Sequence, residues 1–181
     1  MIALRLARLI ESHSDQLAEA LLRKLHSSAR AQVVLDKVPE SEVRERASEI
    51  YRNLSDWLLN KTEPEIGRVY VQLGRRRAEQ GVSMSSLCWA IMKTEENLWE
   101  YLESQAEHQS TIDILGSLEL LRVLDQFFNR AIYYATLGHE TAKHESQTRE
   151  SQTKDMQDFP LLSESVRVLS LAPTPQGRGK S

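Results

Sequence analysis

Helix breakers are nearly missing from the body of this chain. Of seven glycines and five prolines in 181 residues, four (Pro173, Pro175, Gly177 and Gly179) crowd into the C-terminal end. A fold made of many short strands needs a turn residue at every reversal, and the rest of the sequence does not supply them. What it supplies is apolar residues at helical spacing, so the expectation is an all-α chain.

Five segments carry that spacing. The first runs from about Ile2 to His26, with Leu17, Leu21 and Leu25 every four residues and Leu6 and Ile10 upstream. The cluster Ser12-His13-Ser14-Asp15 interrupts it with side chains that compete for backbone hydrogen bonds. A loop is expected from Ser27 to Val38. The second helix starts at Pro39, a residue suited to a first turn, with Glu40 and Glu42 near the positive dipole end. Its stripe is Val43, Ala47, Ile50, Tyr51, Leu54, Trp57 and Leu58. Thr62 and Glu65 form a capping box for the third, whose apolar face is Ile66, Val69, Tyr70 and Leu73. It closes at Gly81, and Ser83 caps the fourth, built on Met84, Leu87, Cys88, Ile91, Leu98 and Leu102. The fifth begins near Thr111 and is long, with Ile112, Leu115, Leu121, Leu124, Phe128, Ala131 and Ala135 on one face.

These segments predict an antiparallel bundle of about five helices over residues 1–138, with a long last helix. Residues 139–158 read as a polar helical extension with almost nothing to bury. Residues 159–181 read as a flexible tail, too short to fold alone.

Composition narrows the function. A net charge of -3 gives no global field for nucleic acid. A lone cysteine, Cys88, excludes an internal disulfide and a cysteine-built zinc site. No apolar run is long enough to span a bilayer, and arginines inside the N-terminal apolar stretch argue against a signal peptide, so a cytoplasmic location is expected.

Catalytic and metal signatures are missing. The histidines His13, His26, His108, His139 and His144 make no HExxH pair, and the last two are five apart, off a common helical face. All five read as surface residues, with no metal site. There is no Gly-rich phosphate loop, no Gly-x-Ser-x-Gly elbow and no paired Cys and His. His139-Glu140-Thr141 resembles a phosphoacceptor helix over a few residues only, without the following proline. No short helix-turn-helix with a basic recognition helix is evident, which disfavours a transcriptional regulator. A haem-binding bundle would need a histidine facing a pocket midway along a late helix. His108 lies in a polar stretch and His139 where the apolar pattern stops. The chain therefore reads as non-enzymatic and without a cofactor.

The most structured local signal is the corner Arg77-Ala78-Glu79-Gln80-Gly81-Val82-Ser83. Three successive arginines, Arg75, Arg76 and Arg77, wrap around a helix and cannot all face one ligand. Arg75 and Arg76 complement the helix dipole. Arg77 continues the apolar side set by Tyr70 and Leu73, and a semi-buried arginine there needs a carboxylate partner. Arg77, Ala78, Gln80 and Gly81 thus define a fixed turn between helices three and four. Tyr70, Arg77, Trp89 and Trp99 are the candidate pocket or partner-contact residues. The last helix also carries more apolar surface than one core-facing stripe requires, including Leu118, Leu120, Val123, Phe127, Ile132, Tyr133 and Tyr134. Phe127 and Tyr134 are the candidate dimer contacts.

The stretch from Tyr70 to Ser83, with Leu98-Trp99-Glu100-Tyr101-Leu102 beyond it, resembles one bacterial family: the N-terminal domain of the RsbR and RsbRD-type co-antagonists of the RsbT kinase. The Arg77-Ala78-x-Gln80-Gly81 turn carries most of the likeness, which extends over residues 4–137. The resemblance implies a helical input module of signal transduction, globin-like but without haem, that dimerises. It implies a kinase, a sulfate-transporter-anti-sigma (STAS) protein or another signalling protein as partner. It supplies no catalytic residues, and the output domain that usually follows in the family is not expected after Ser181, so the module is expected to act on a partner or beside a separately encoded output. The functional expectation is an input module that senses a signal or binds a partner and relays it through its last helix. The alternative is a small-molecule or haem-binding helical protein.

Overall fold

The computed structural model describes residues 2–105 and 111–157, with side chains over 4–105 and 116–153. Among the described residues are eight helices and no strand: α1 (Ile2–Ser12), α2 (Ser14–Ser27), α3 (Ala29–Leu35), α4 (Glu40–Arg52), α5 (Leu54–Leu59), α6 (Glu63–Glu79), α7 (Met84–Ser104) and α8 (Thr111–Gln157). The all-α class and the long last helix stand. The count of about five helices does not, for three local reasons.

The first helix is cut at His13, where the backbone N–H of His13 bonds back only three residues to Ile10 O at 3.0 Å. Ser12 Oγ and His13 Nδ1 both donate to Leu9 O, at 2.8 and 2.9 Å, so side chains take over acceptors of the ladder. The second is cut at Asn53, whose side-chain Nδ2 donates to Glu49 O at 2.9 Å. The expected loop from Ser27 to Val38 contains α3 instead. Ala31, Val34 and Val38 are buried at intervals of three and four, which is enough to seat a short helix on the core.

The described residues up to 143 form one compact unit, and those from 144 to 157 belong to a second. In the first, α2 packs against α3, α4 and α7, and α1 against α4 and α5. The core joins Ile10, Leu21, Leu25, Leu54, Leu98, Leu124 and Phe128, all nearly inaccessible. Asn97 crosses it, its Nδ2 donating to Leu17 O at 2.9 Å and to Tyr51 Oη at 3.2 Å. Tyr51 in turn donates to Thr94 O at 3.2 Å, and burial pushes its hydroxyl pKa well up. In the second unit, residues 144–157 are helical, and the side chains from 144 to 153 are exposed. The proposed tail from 159 to 181 lies outside the described residues.

Burial on α8 runs further than the sequence suggests. His139 is fully buried and Ala142 nearly so. The reading of all five histidines as surface residues is therefore corrected at His139. His13 is half-buried, His26 and His144 are exposed, and His108 lies outside the described residues.

Candidate functional site

The corner between α6 and α7 is built as its residue types dictate. Thr62 opens α6, its backbone N–H and its Oγ1 donating to the Glu65 carboxylate at 2.8 and 2.7 Å. At the far end Gly81 takes φ +75, a conformation that costs other residues strain. The N–H groups of Gly81 and Val82 bond to Ala78 O at 3.0 Å and Arg77 O at 2.9 Å, a complete Schellman closure. Ser83 Oγ then accepts from Ser86 N at 3.1 Å and starts α7.

Arg77 is buried, and its partner is Glu42 of α4, 35 residues away in sequence. Its Nη1 donates to Glu42 Oε1 and, at 2.6 Å, to Gln80 Oε1. Arg76 Nη2 reaches the other Glu42 oxygen at 2.8 Å. Burial pushes the Glu42 carboxyl pKa up. The hydrogen bond from Arg77 and the charges of Arg77 and Arg76 outweigh it, so the group is held below the usual glutamate value. One carboxylate thus ties the corner to α4. The need for a carboxylate was readable from Arg77's place on the apolar face; its identity was not.

On its other side α6 meets α8 at backbone distance. A Cβ built on Gly74 would stand 1.9 Å from Ala135 O, and one on Gly138 would stand 2.1 Å from Val71 O. Neither glycine tolerates a side chain there. Gly67 is packed under the Tyr134 ring, with ring atoms 3.1 Å from a built Cβ. Just past the crossing, His139 Nε2 donates to Val82 O at 2.8 Å, so α8 holds the corner from beneath. His139 Nδ1 is buried with no hydrogen-bond partner in the protein. Sequence reasoning missed this seam, although glycines inside a helical pattern signal close backbone approach.

Between α4 and α6 lies an open groove of about 810 Å³, whose walls include Glu42, Arg46, Arg52, Gln72, Leu73 and Arg76. Its arginines are largely matched by acids. Arg52 pairs with Asp15 at 3.0 Å, and Arg44 Nη2 with Glu40 at 2.8 Å. Arg44 Nε lies 2.6 Å from Glu19 Oε1, an ion pair whose direction is poor for a hydrogen bond. Inside the groove wall is a smaller cavity of about 70 Å³, lined by apolar residues of α2, α3, α4, α6, α7 and α8 together with Arg46, Tyr70 and Arg77. Tyr70 stacks edge-on against Trp57 and Phe127, with ring centroids 6.2 and 5.9 Å apart. Burial pushes its hydroxyl up to about 12, against the opposing charge of Arg46.

The sequence-predicted site residues divide. Tyr70 and Arg77 share the inner cavity. Trp89 lies apart, its Nε1 donating to Ser28 Oγ at 3.1 Å while Arg30 and Lys93 sit over its ring. Trp99 is half-buried on α7, where it offsets part of the rise that burial gives the Glu95 carboxyl pKa, and it does not line the cavity. Phe127 is not a surface residue: it is 3% exposed, because the true buried face of α8 includes Leu120, Leu124, Phe127 and Phe128. Tyr134 is half-buried and donates its hydroxyl to Glu63 Oε1 at 3.0 Å. Among the described residues, the large apolar side chains left exposed on α8 are Leu118, Tyr133 and Leu137. Arg46, which joins the groove to the cavity, was not anticipated, because its burial depends on Trp57 and Tyr70 packing around it.

Among the described residues no group of three or more His, Cys, Asp and Glu side chains is placed to hold a metal ion, and no helix is long and apolar enough to cross a membrane. No curated protein and no solved structure matches the chain. A family model does match, over residues 15–153, and it contains both the corner and the α6–α8 seam. The chain belongs to the family of the RsbT co-antagonist protein RsbRD N-terminal domain.

Proposed function

We propose that this protein is a non-enzymatic input module of bacterial signal transduction that acts in the cytoplasm. It takes up a signal or a partner on its helical body and relays the change through α8. The observation that supports this most is α8 itself. It runs unbroken through 47 residues, is buried at intervals from Leu120 to Ala142, and is exposed over residues 143–153. Its backbone rests directly on α6 at Gly74 and Gly138, where packing admits no gradual compression. A change on the α6 side would move α8 between discrete seats, which is how helical interfaces switch.

The family description names RsbT, so the partner class proposed is an RsbT-type kinase or a STAS protein of the same pathway. The exposed Leu118, Tyr133 and Leu137 on α8 are the surface proposed for such a partner or for a second copy of the chain. Binding of the purified chain to an RsbT-type kinase and to a STAS protein, with sedimentation of the chain alone, tests this. The expected result is saturable binding to at least one of them and a dimer at tens of micromolar. Tyr133→Asp with Leu137→Asp should lose both while keeping the helical spectrum. A strict monomer that binds neither protein contradicts the reading.

A further inference from the structure

We propose that the inner cavity is a binding site for a small carboxylate, an organic acid anion with a short aliphatic chain, gripped by Arg46 and Tyr70. It rests on the reading of the domain as an input module and supplies the chemical class of its signal.

Arg46 is only partly engaged by the protein. Its Nη1 donates to Glu49 Oε2 at 2.7 Å. Its Nε and Nη2 are buried and have no hydrogen-bond partner in the protein. Those two nitrogens form the side edge of a guanidinium, the edge that matches both oxygens of a carboxylate in a bidentate pair. The Arg46 guanidinium is set in place by the Trp57 and Tyr70 rings, whose centroids are 5.8 and 5.5 Å from its carbon. The Tyr70 hydroxyl is the second unpartnered group, on a side chain that is 1% exposed. Arg46 lies close enough to hold that hydroxyl down both by its charge and by a hydrogen-bonding contact, but the direction of the contact leaves both groups unsatisfied. Leaving buried donors unmatched costs stability, so a wall that keeps three together calls for an acceptor. Arg77 is different: Glu42 and Gln80 already engage it.

The cavity sets the rest of the ligand. Arg46 and Tyr70 both line it, and Leu21, Leu25, Val34, Ile50, Leu87 and Ile91 make up much of the remaining wall. Such a wall favours a hydrocarbon chain over a fully polar anion. Set against a 150 Å³ apolar cavity that holds benzene, the cavity takes roughly three non-hydrogen atoms in all, so the aliphatic chain fills it and the carboxylate sits at its mouth, where Arg46 also lines the groove. Propionate and butyrate have a chain of that size. Arg46, Leu73 and Arg77 line the cavity and the open groove alike, so the groove is the way in.

The test is isothermal titration of the full chain at pH 7 with sodium propionate and sodium butyrate, and with butan-1-ol, octanoate and sulfate as comparisons. Saturable binding of propionate or butyrate is expected, with butan-1-ol, octanoate and sulfate each weaker by about ten-fold or more. Tyr70→Phe keeps the ring and should weaken butyrate by about ten-fold, and Arg46→Gln by more. Ala47→Leu, which fills the cavity from α4, should abolish binding in a chain of unchanged helicity. If Arg46→Gln fails to fold, Tyr70→Phe and Ala47→Leu carry the test. No saturable binding of either acid up to tens of millimolar overturns the proposal. So does sulfate binding as tightly as butyrate, or butyrate binding that Tyr70→Phe and Ala47→Leu leave unchanged. The titration needs no partner protein, and the partner measurement needs no acid, so either proposal can fail without the other.

Discussion

The two sides of α6 are built on opposite plans. Toward α8 it presents Gly67, Gly74 and the backbone of Val71, and the helices touch main chain to main chain. Toward α4 it presents Val69, Gln72, Leu73 and Arg76, and the helices stand apart across a groove. A seam of glycines has no side chain that can adjust, so it holds α8 in a definite seat and can change only by moving to another. A wall of long, charged side chains can rearrange at little cost. The domain thus has a fixed side, which positions α8 and the corner, and a receptive side, where charges and an inner cavity face solvent through one groove.

That contrast is broken most severely at the seam. Gly74→Leu would drive a side chain into the Ala135 carbonyl and should destabilise the fold by about 3 kcal/mol or more, read from chemical denaturation. A stability within experimental error of the wild type would mean that the two helices do not meet there. The next effect is at the boundary between the plans. Glu42→Ala leaves Arg77 buried without its carboxylate and should cost about 2 kcal/mol, since Glu42 itself keeps some solvent contact. Gly81→Ala follows, at about 1 kcal/mol: nothing lies within 4 Å of its built Cβ, so only the positive φ opposes it. Smallest is Gln72→Ala on the groove wall, expected within about 0.5 kcal/mol. A larger loss there would show that the groove is as tightly determined as the seam.

The same pair of regions predicts a pH dependence. The Glu42 carboxyl is held below its ordinary value of 4.5. Its contribution is therefore complete above that value and is lost as pH falls through the lower value of the folded protein. Glu42→Gln should remove this part of the acid sensitivity. If stability below pH 4.5 falls as steeply in Glu42→Gln as in the wild type, Glu42 is not the group responsible.

Local chemistry was legible in the sequence where a capping pair or a glycine carries it. Thr62 with Glu65, Gly81 and Ser83 each announce a helix boundary by themselves, and each stands where expected. The break at His13 falls in the cluster expected to interrupt the first helix, whereas the break at Asn53 was not anticipated, because it uses a side-chain hydrogen bond in place of glycine or proline. Arg77 showed that it needs an acid without showing which one, since Glu42 comes from another helix. His139 was misread because its polar neighbours along the chain mask a position that α6 and the corner cover in space. Phe127 was assigned to a surface because an apolar helix does not by itself reveal which stripe faces inward. At Arg77, His139 and Phe127 the decisive partner is far away in the sequence.

Hydrogen–deuterium exchange on the full chain tests the central claim, that α6 joins a fixed side to a receptive one. The slowest amides should lie at the seam, in residues 70–78 of α6 and 131–142 of α8, opening only with global unfolding. Residues 144–153 and the groove-facing turns of α4 should exchange faster, through local opening. Exchange over 131–142 as fast as over 144–153 would contradict the account, because α8 would then have no fixed seat from which to relay anything.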